Sequence, residues 1–297
     1  MSLSKLRGFI RSYGLLPPRD DFRQLLNAVL PKGEGVVVMI EAYFDESGIG
    51  KQEPLMCVAG YIFSAAKATR FSRKWSKALK GFGIEYFRMS ECAARQKQFK
   101  GRTREECDEV AFALADLTNA CAIHGVVVSA SQSEFAKRAP SWWEEGKGGT
   151  YTACLHQCIN LVSTWADNDR YNGRIAYFFE EGCEYEKEAR RVLMNTMAIE
   201  RNRAVSRYGG HAFLPKGEMG RPLDAADLLA WQVRRRFGDD NKAFFQSDDI
   251  PTYEELSPIF KRLQDRRSEH YSHSKLTGVE LDDFFARIDL PPGSPSD

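Results

Sequence analysis

Three carboxylates of this chain stand where a carboxylate is expensive. Asp45 closes the apolar run Tyr43-Phe44-Asp45-Glu46, and Glu180 closes Tyr177-Phe178-Phe179-Glu180. Asp227 lies inside Ala225-Ala226-Asp227-Leu228-Leu229-Ala230. An ionised carboxylate beside that much apolar surface is costly to bury unless it is paired or holds a metal. Hard divalent cations such as magnesium take oxygen ligands from one or two carboxylates, keep several waters and bridge phosphate. Two such ions about 4 Å apart activate water and stabilise the leaving oxygen in phosphodiester cleavage. Each position also has a plainer reading. Asp45-Glu46-Ser47-Gly48 has the composition of a hairpin turn, and Glu180-Glu181-Gly182 reads as a strand exit feeding a helix. Asp224 is placed to cap the helix that follows Pro222, with Asp227 as a first-turn acid favoured by the helix dipole. The three together, in this order, are what point to chemistry.

The elements that must position them alternate between strand and helix. Val36 to Phe44 is rich in β-branched and aromatic residues and stops at the turn signature Asp45-Glu46-Ser47-Gly48-Ile49-Gly50. Leu55 to Phe63 is a second run of strand length, and the two read as a hairpin. A helical pattern covers 66–80, and Glu85-Tyr86-Phe87 is a short strand candidate. Thr103 to Ala122 is a helix with Thr103 and Glu106 as its capping box. Then follow a strand at Ile123–Ala130, a helix at Tyr151–Trp165 and a buried strand at Ile175–Phe179. Helices at Tyr185–Ala204 and Leu223–Phe237 come last. The expected fold is α/β, a mixed sheet opened by a hairpin and flanked by helices. Residues 1–38 read as an N-terminal extension and 39–240 as the main domain. Residues 241–297 read as a helical tail of one or two short helices, running out in Pro291-Pro292-Gly293-Ser294-Pro295.

The formal net charge of the 297 residues is +1, so overall charge gives no push toward nucleic acid, and any such surface must be a local patch. Arg201, Arg203 and Arg207, Arg234-Arg235-Arg236, Lys261-Arg262 and Arg266-Arg267 are basic clusters that track a phosphate backbone or form solvated faces. Trp142-Trp143 either stacks on bases or packs in the core. Seven cysteines with no CxxC pair suit reduced thiols in a cytosolic protein. Cys154 and Cys158 flank His156, but helical spacing turns the histidine to another face, against a zinc site. No signal peptide is visible and no stretch approaches the roughly 18–20 apolar residues of a membrane span. A cytoplasmic protein that does not enter the membrane is expected.

Tyr43-x-Asp45-Glu46-Ser47-Gly48 near the start, with Ala226-Asp227-Leu228-Leu229-Ala230 near the end, resembles the domain-of-unknown-function family numbered thirty-eight hundred. That family is similar to RNase H-like nucleases, and the resemblance covers roughly residues 39–240. It implies an RNase H-like catalytic domain in which Asp45, Glu180 and Asp227 are the metal ligands, for Mg2+ or Mn2+. Glu46 is an accessory ligand or supports one. The implied activity is two-metal hydrolysis of DNA or RNA. The chain departs from the family in two places. Arg88 stands in Tyr86-Phe87-Arg88-Met89-Ser90-Glu91 where the family often has histidine, which puts a general acid there in doubt and offers a phosphate contact instead. Asp224 replaces the glutamine that precedes the last aspartate, as an additional ligand or a cap. Those departures also suit a catalytically silent RNase H-like module that binds nucleic acid. A third reading is an interaction or assembly component with structural carboxylates. A nuclease needs Asp45, Glu180 and Asp227 to converge. An arginine paired with them, Arg88 or Arg174, counts against catalysis, and an exposed apolar patch favours an interaction role.

Overall fold

The computed structural model describes residues 40–48, 53–144, 149–183, 185–215, 217, 220–238, 259, 263 and 271–287. Strand β1 (Ile40–Ser47) turns back antiparallel into β2 (Leu55–Ser64), with Tyr43 opposite Tyr61 and Asp45 opposite Ala59. Helix α1 (Ala65–Gly81) starts on the Ser64 hydroxyl, which accepts the Lys67 N–H. A short helix α2 (Met89–Ala94) precedes α3 (Arg104–Cys121), whose Thr103/Glu106 capping box is formed on both sides. Strand β3 (His124–Ser131) returns antiparallel to β2. Helices α4 (Gln132–Arg138), α5 (Ser141–Glu144) and α6 (Gly149–Asn168) lead to β4 (Ile175–Glu180). Helices α7 (Glu186–Ala198) and α8 (Glu200–Val205) lead to β5 (Tyr208–Leu214), and α9 (Arg221–Gly238) follows. Strand β6 (Tyr271–Leu276) and α10 (Gly278–Arg287) are the last elements described.

The sheet order is β5-β4-β1-β2-β3-β6. β1, β2 and β3 form an antiparallel meander, β4 lies parallel to β1, β5 parallel to β4, and β6 parallel to β3. This is the expected α/β architecture, a mixed sheet opened by a hairpin and covered by helices on both faces.

Alternation along the strands makes two cores. On one face Ala42, Phe44, Val58, Ile62, Val126, Val128, Tyr177 and Phe179 pack with α6, α7 and α10. On the other face the rings run in a chain: Phe178 stacks on Tyr43 at 4.7 Å, and Phe63, Phe71, Trp75, Phe87 and Phe99 continue it. Such ring pairs add about 0.5–1.5 kcal/mol each beyond area burial. Helix α9 lies over β1 and β2 on this second side, with Leu228, Leu229 and Val233 fully buried.

Four expectations change. Glu85-Tyr86-Phe87 is not a strand. It finds no partner strand, and side chains satisfy its backbone instead: the Gln98 carbonyl oxygen accepts the Glu85 N–H, and Arg221 donates to the Glu85 carbonyl. The helix expected over Tyr185–Ala204 is two helices, because Ile199 is extended at φ −77°, ψ 120°. Strand β5 was not expected, since Gly209-Gly210 masks its apolar end. Strand β6 falls in the tail, where one or two short helices and no strand were expected. Tyr-Ser-His-Ser-Lys-Leu has no apolar alternation, because its place at the end of the sheet leaves it half-buried. Its Tyr271 ring lies where a Cβ on Gly125 would be, so β3 needs glycine there to let it approach. Residues 1–38 and the Pro-rich end at 291–295 lie outside the described residues. Among the described residues no helix is long and apolar enough to cross a membrane.

Candidate metal centre

β1 does not turn at Asp45, as the turn reading had it. The strand runs on through Ser47. Gly48 follows the strand at φ +92°, with the Leu55 carbonyl oxygen filling the space a Cβ would take. Asp45 is therefore a strand residue, 1% exposed. β1 and β4 are parallel and in register from Ile40/Ile175 to Phe44/Phe179. The next step along that ladder is Asp45 beside Glu180. Because Tyr43 and Phe178 stack two pairs earlier, and alternation returns to the same face every second residue, both carboxylates leave the sheet on the side of α9. Parallel pairing thus closes a separation of 135 positions in sequence, from 45 to 180.

Glu46 joins them. One oxygen from each of Asp45, Glu46 and Glu180 can be chosen so that all lie within 4.8 Å of one another. Alternation starts Glu46 on the opposite face of β1 from Asp45. Its own backbone N–H donates to Asp45 Oδ1 at 2.8 Å. The donor set is entirely carboxylate oxygen, the chemistry that suits Mg2+ or Mn2+ rather than a thiophilic ion.

Asp227 takes a neighbouring position. It is half-buried on α9, and its Oδ2 accepts the Met89 N–H at 2.7 Å. It is not part of the carboxylate group that closes within 4.8 Å. What joins it to that group is Arg88. The guanidinium donates to Glu180 Oε1 at 3.3 Å. Burial works to lower its pKa, but Glu180, then Asp227, Asp45 and Glu91, outweigh that and hold it above its ordinary value. An arginine therefore stands paired at the site, the arrangement that counts against catalysis. The arginine seen on Glu180 is Arg88; of Arg174, the carbonyl accepts the Tyr171 hydroxyl.

Asp224, three residues before Asp227, is committed elsewhere. It is fully buried. Its Oδ2 accepts the Trp75 indole N–H at 3.0 Å and pairs with Arg221 at 3.2 Å. Expected as an additional ligand or a cap, it is seen bonded to α1 through Trp75.

Tyr151 and Cys183 lie close enough to Glu46 to feel its charge, and no motif marks them. Burial first, then the charge of Glu46, pushes the Tyr151 phenol well up and the Cys183 thiol up to about 12. Both stay neutral, so the wall behind Glu46 adds no charge. Only the fold brings α6 to the end of β1, so no local pattern reveals them. Trp143 is core, packed against Phe284 and Phe285. The side chain of Trp142 lies outside the described residues. Of the basic clusters, Arg207 bonds Asp167 and the Tyr171 carbonyl, and Arg234 bonds Ser47 and Glu53. Lys261, Arg262, Arg266 and Arg267 lie outside the described residues.

No protein-family model and no curated protein matches the chain. The resemblance to the thirty-eight-hundred family thus rests on the two quoted motifs. Among solved structures the chain is similar to one described as the structure of the PCNA:RNase HII complex from Archaeoglobus fulgidus. The identity is 12%, the match covers 87% of this chain and 96% of that one, and the TM-score is 0.38.

Proposed function

We propose that the chain is a divalent-metal-dependent nuclease, hydrolysing phosphodiester bonds in DNA or RNA with Mg2+ or Mn2+ at the ends of β1 and β4. The observation that carries this reading is the meeting of Asp45, Glu46 and Glu180 within 4.8 Å. Asp45 and Glu180 hold the ions, Glu46 closes the set from the far face of the strand, and Asp227 adds a ligand from α9. A bound ion would supply Lewis acidity toward a phosphoryl oxygen. Arg88, half-exposed at the mouth, is placed to donate to a phosphate oxygen.

A second reading has its own observation. The Arg88–Glu180 pair neutralises one ligand, which suits an RNase H-like module that binds nucleic acid without cutting it. Cleavage of labelled single- and double-stranded DNA and RNA, with Mg2+ or Mn2+, separates the two. Parent cleavage abolished in folded Asp45→Asn and Asp227→Asn supports the nuclease. Binding without cleavage by the parent moves the reading to the silent module.

A further inference from the structure

We propose that Arg88 is a built-in cation of the carboxylate centre, and that a divalent ion must displace its guanidinium from Glu180 to bind. This rests on the metal reading above and adds a control on when the site fills. Two bonds place the residue. The Arg88 side chain reaches Glu180 at 3.3 Å, while the next N–H in the chain, that of Met89, is fixed on Asp227 at 2.7 Å. The start of α2 thus spans two carboxylates from different elements, one at the end of β4 and one on α9. The guanidinium also feels Asp45 and Glu91. Glu91 is nearly buried but has its own partner, Lys97, at 2.9 Å, so it does not hold Arg88 alone. The Arg88 side chain is 42% exposed and the Glu180 carboxylate 12%. The arginine can therefore swing to solvent, while the carboxylate stays fixed.

Two consequences follow from charge alone. In the metal-free protein the guanidinium offsets repulsion among Asp45, Glu46 and Glu180. During loading it competes for a Glu180 oxygen, so the apparent affinity for metal is lowered by the fraction of molecules in which Arg88 has moved away. Once displaced, the same guanidinium is free to meet a phosphate, so metal loading and phosphate capture are coupled through one side chain.

The test is Mn2+ titration by calorimetry on the full chain, with thermal unfolding in parallel, for the parent, Arg88→Met and Arg88→Lys. Arg88→Met should bind Mn2+ about tenfold more tightly than the parent, and Arg88→Lys close to it, because Lys keeps the charge. Metal-free Arg88→Met should melt earlier than the parent, and Mn2+ should raise its Tm by more. If Arg88→Met does not fold, Arg88→Gln takes its place. Equal Mn2+ affinity in parent and Arg88→Met overturns the inference and leaves the metal reading standing. Absence of Mn2+ binding in the parent and in folded Arg88→Met overturns both. Binding in Arg88→Met alone supports the displacement in its strongest form.

Discussion

Asp224 and Asp227 stand three residues apart on α9, and their surroundings differ sharply. Asp224 is fully buried, held by the Trp75 indole and the Arg221 guanidinium. Asp227 is half-buried at the rim of a carboxylate group and is bonded to the backbone of Met89. Around Asp224 each charge meets its opposite inside the protein. Around Asp45, Glu46 and Glu180, like charges are gathered within 4.8 Å, with Arg88 as their cation. A fold that wanted only stability would build the first arrangement. The second has a cost in repulsion, and sites selected for function commonly carry such costs.

Breaking the Asp224 side should have the largest effect. Asp224→Ala leaves the Arg221 guanidinium buried without its carboxylate. Urea unfolding should show a loss of about 3–5 kcal/mol. A loss under ~1 kcal/mol would mean that the two aspartates do not differ as described. Trp75→Phe is milder, since Arg221 still reaches Asp224. It removes one buried indole donor, and the same measurement should show about 1–3 kcal/mol. The smallest change should come with the opposite sign. Asp45→Asn keeps an oxygen for the Glu46 N–H and removes one of the crowded charges. In metal-free buffer with a chelator it should raise stability by about 1 kcal/mol, and added Mn2+ should no longer shift its Tm. A destabilised Asp45→Asn would show that Asp45 is a structural carboxylate like Asp224.

Asp45 and Glu180 were legible in the sequence because a buried strand that ends abruptly in a carboxylate leaves the pattern of its own run. The parallel register then makes them neighbours. Glu46 read only as an accessory, on the family resemblance, and strand alternation would not by itself bring it together with Asp45. Asp224 read as a cap or a ligand because its true partner, Trp75, is 149 positions away, and no local spacing reveals such a bond. The hairpin and the helices α3 and α6 were legible from periodicity and capping. Strands β5 and β6 were not, one hidden by paired glycines and the other by the polar composition of a sheet margin. Glu85–Phe87 shows the converse: β-type residues form no strand where no partner strand is offered.

Strand β6 has a consequence for the order in which the molecule is made. It covers the outer edge of β3, pairing from Gly125/Tyr271 to Ala130/Leu276, and Tyr271 also bonds the Tyr61 hydroxyl on β2 at 3.1 Å. Synthesis delivers Asp45, Glu180 and Asp227 well before it delivers residue 271. A growing chain, or one cut after α9, would carry the whole carboxylate centre beside an open row of β3 backbone donors and acceptors. Such an edge templates pairing with another chain. The last strand therefore protects solubility rather than chemistry, and its loss should appear first as aggregation, in a protein whose carboxylate cluster is complete.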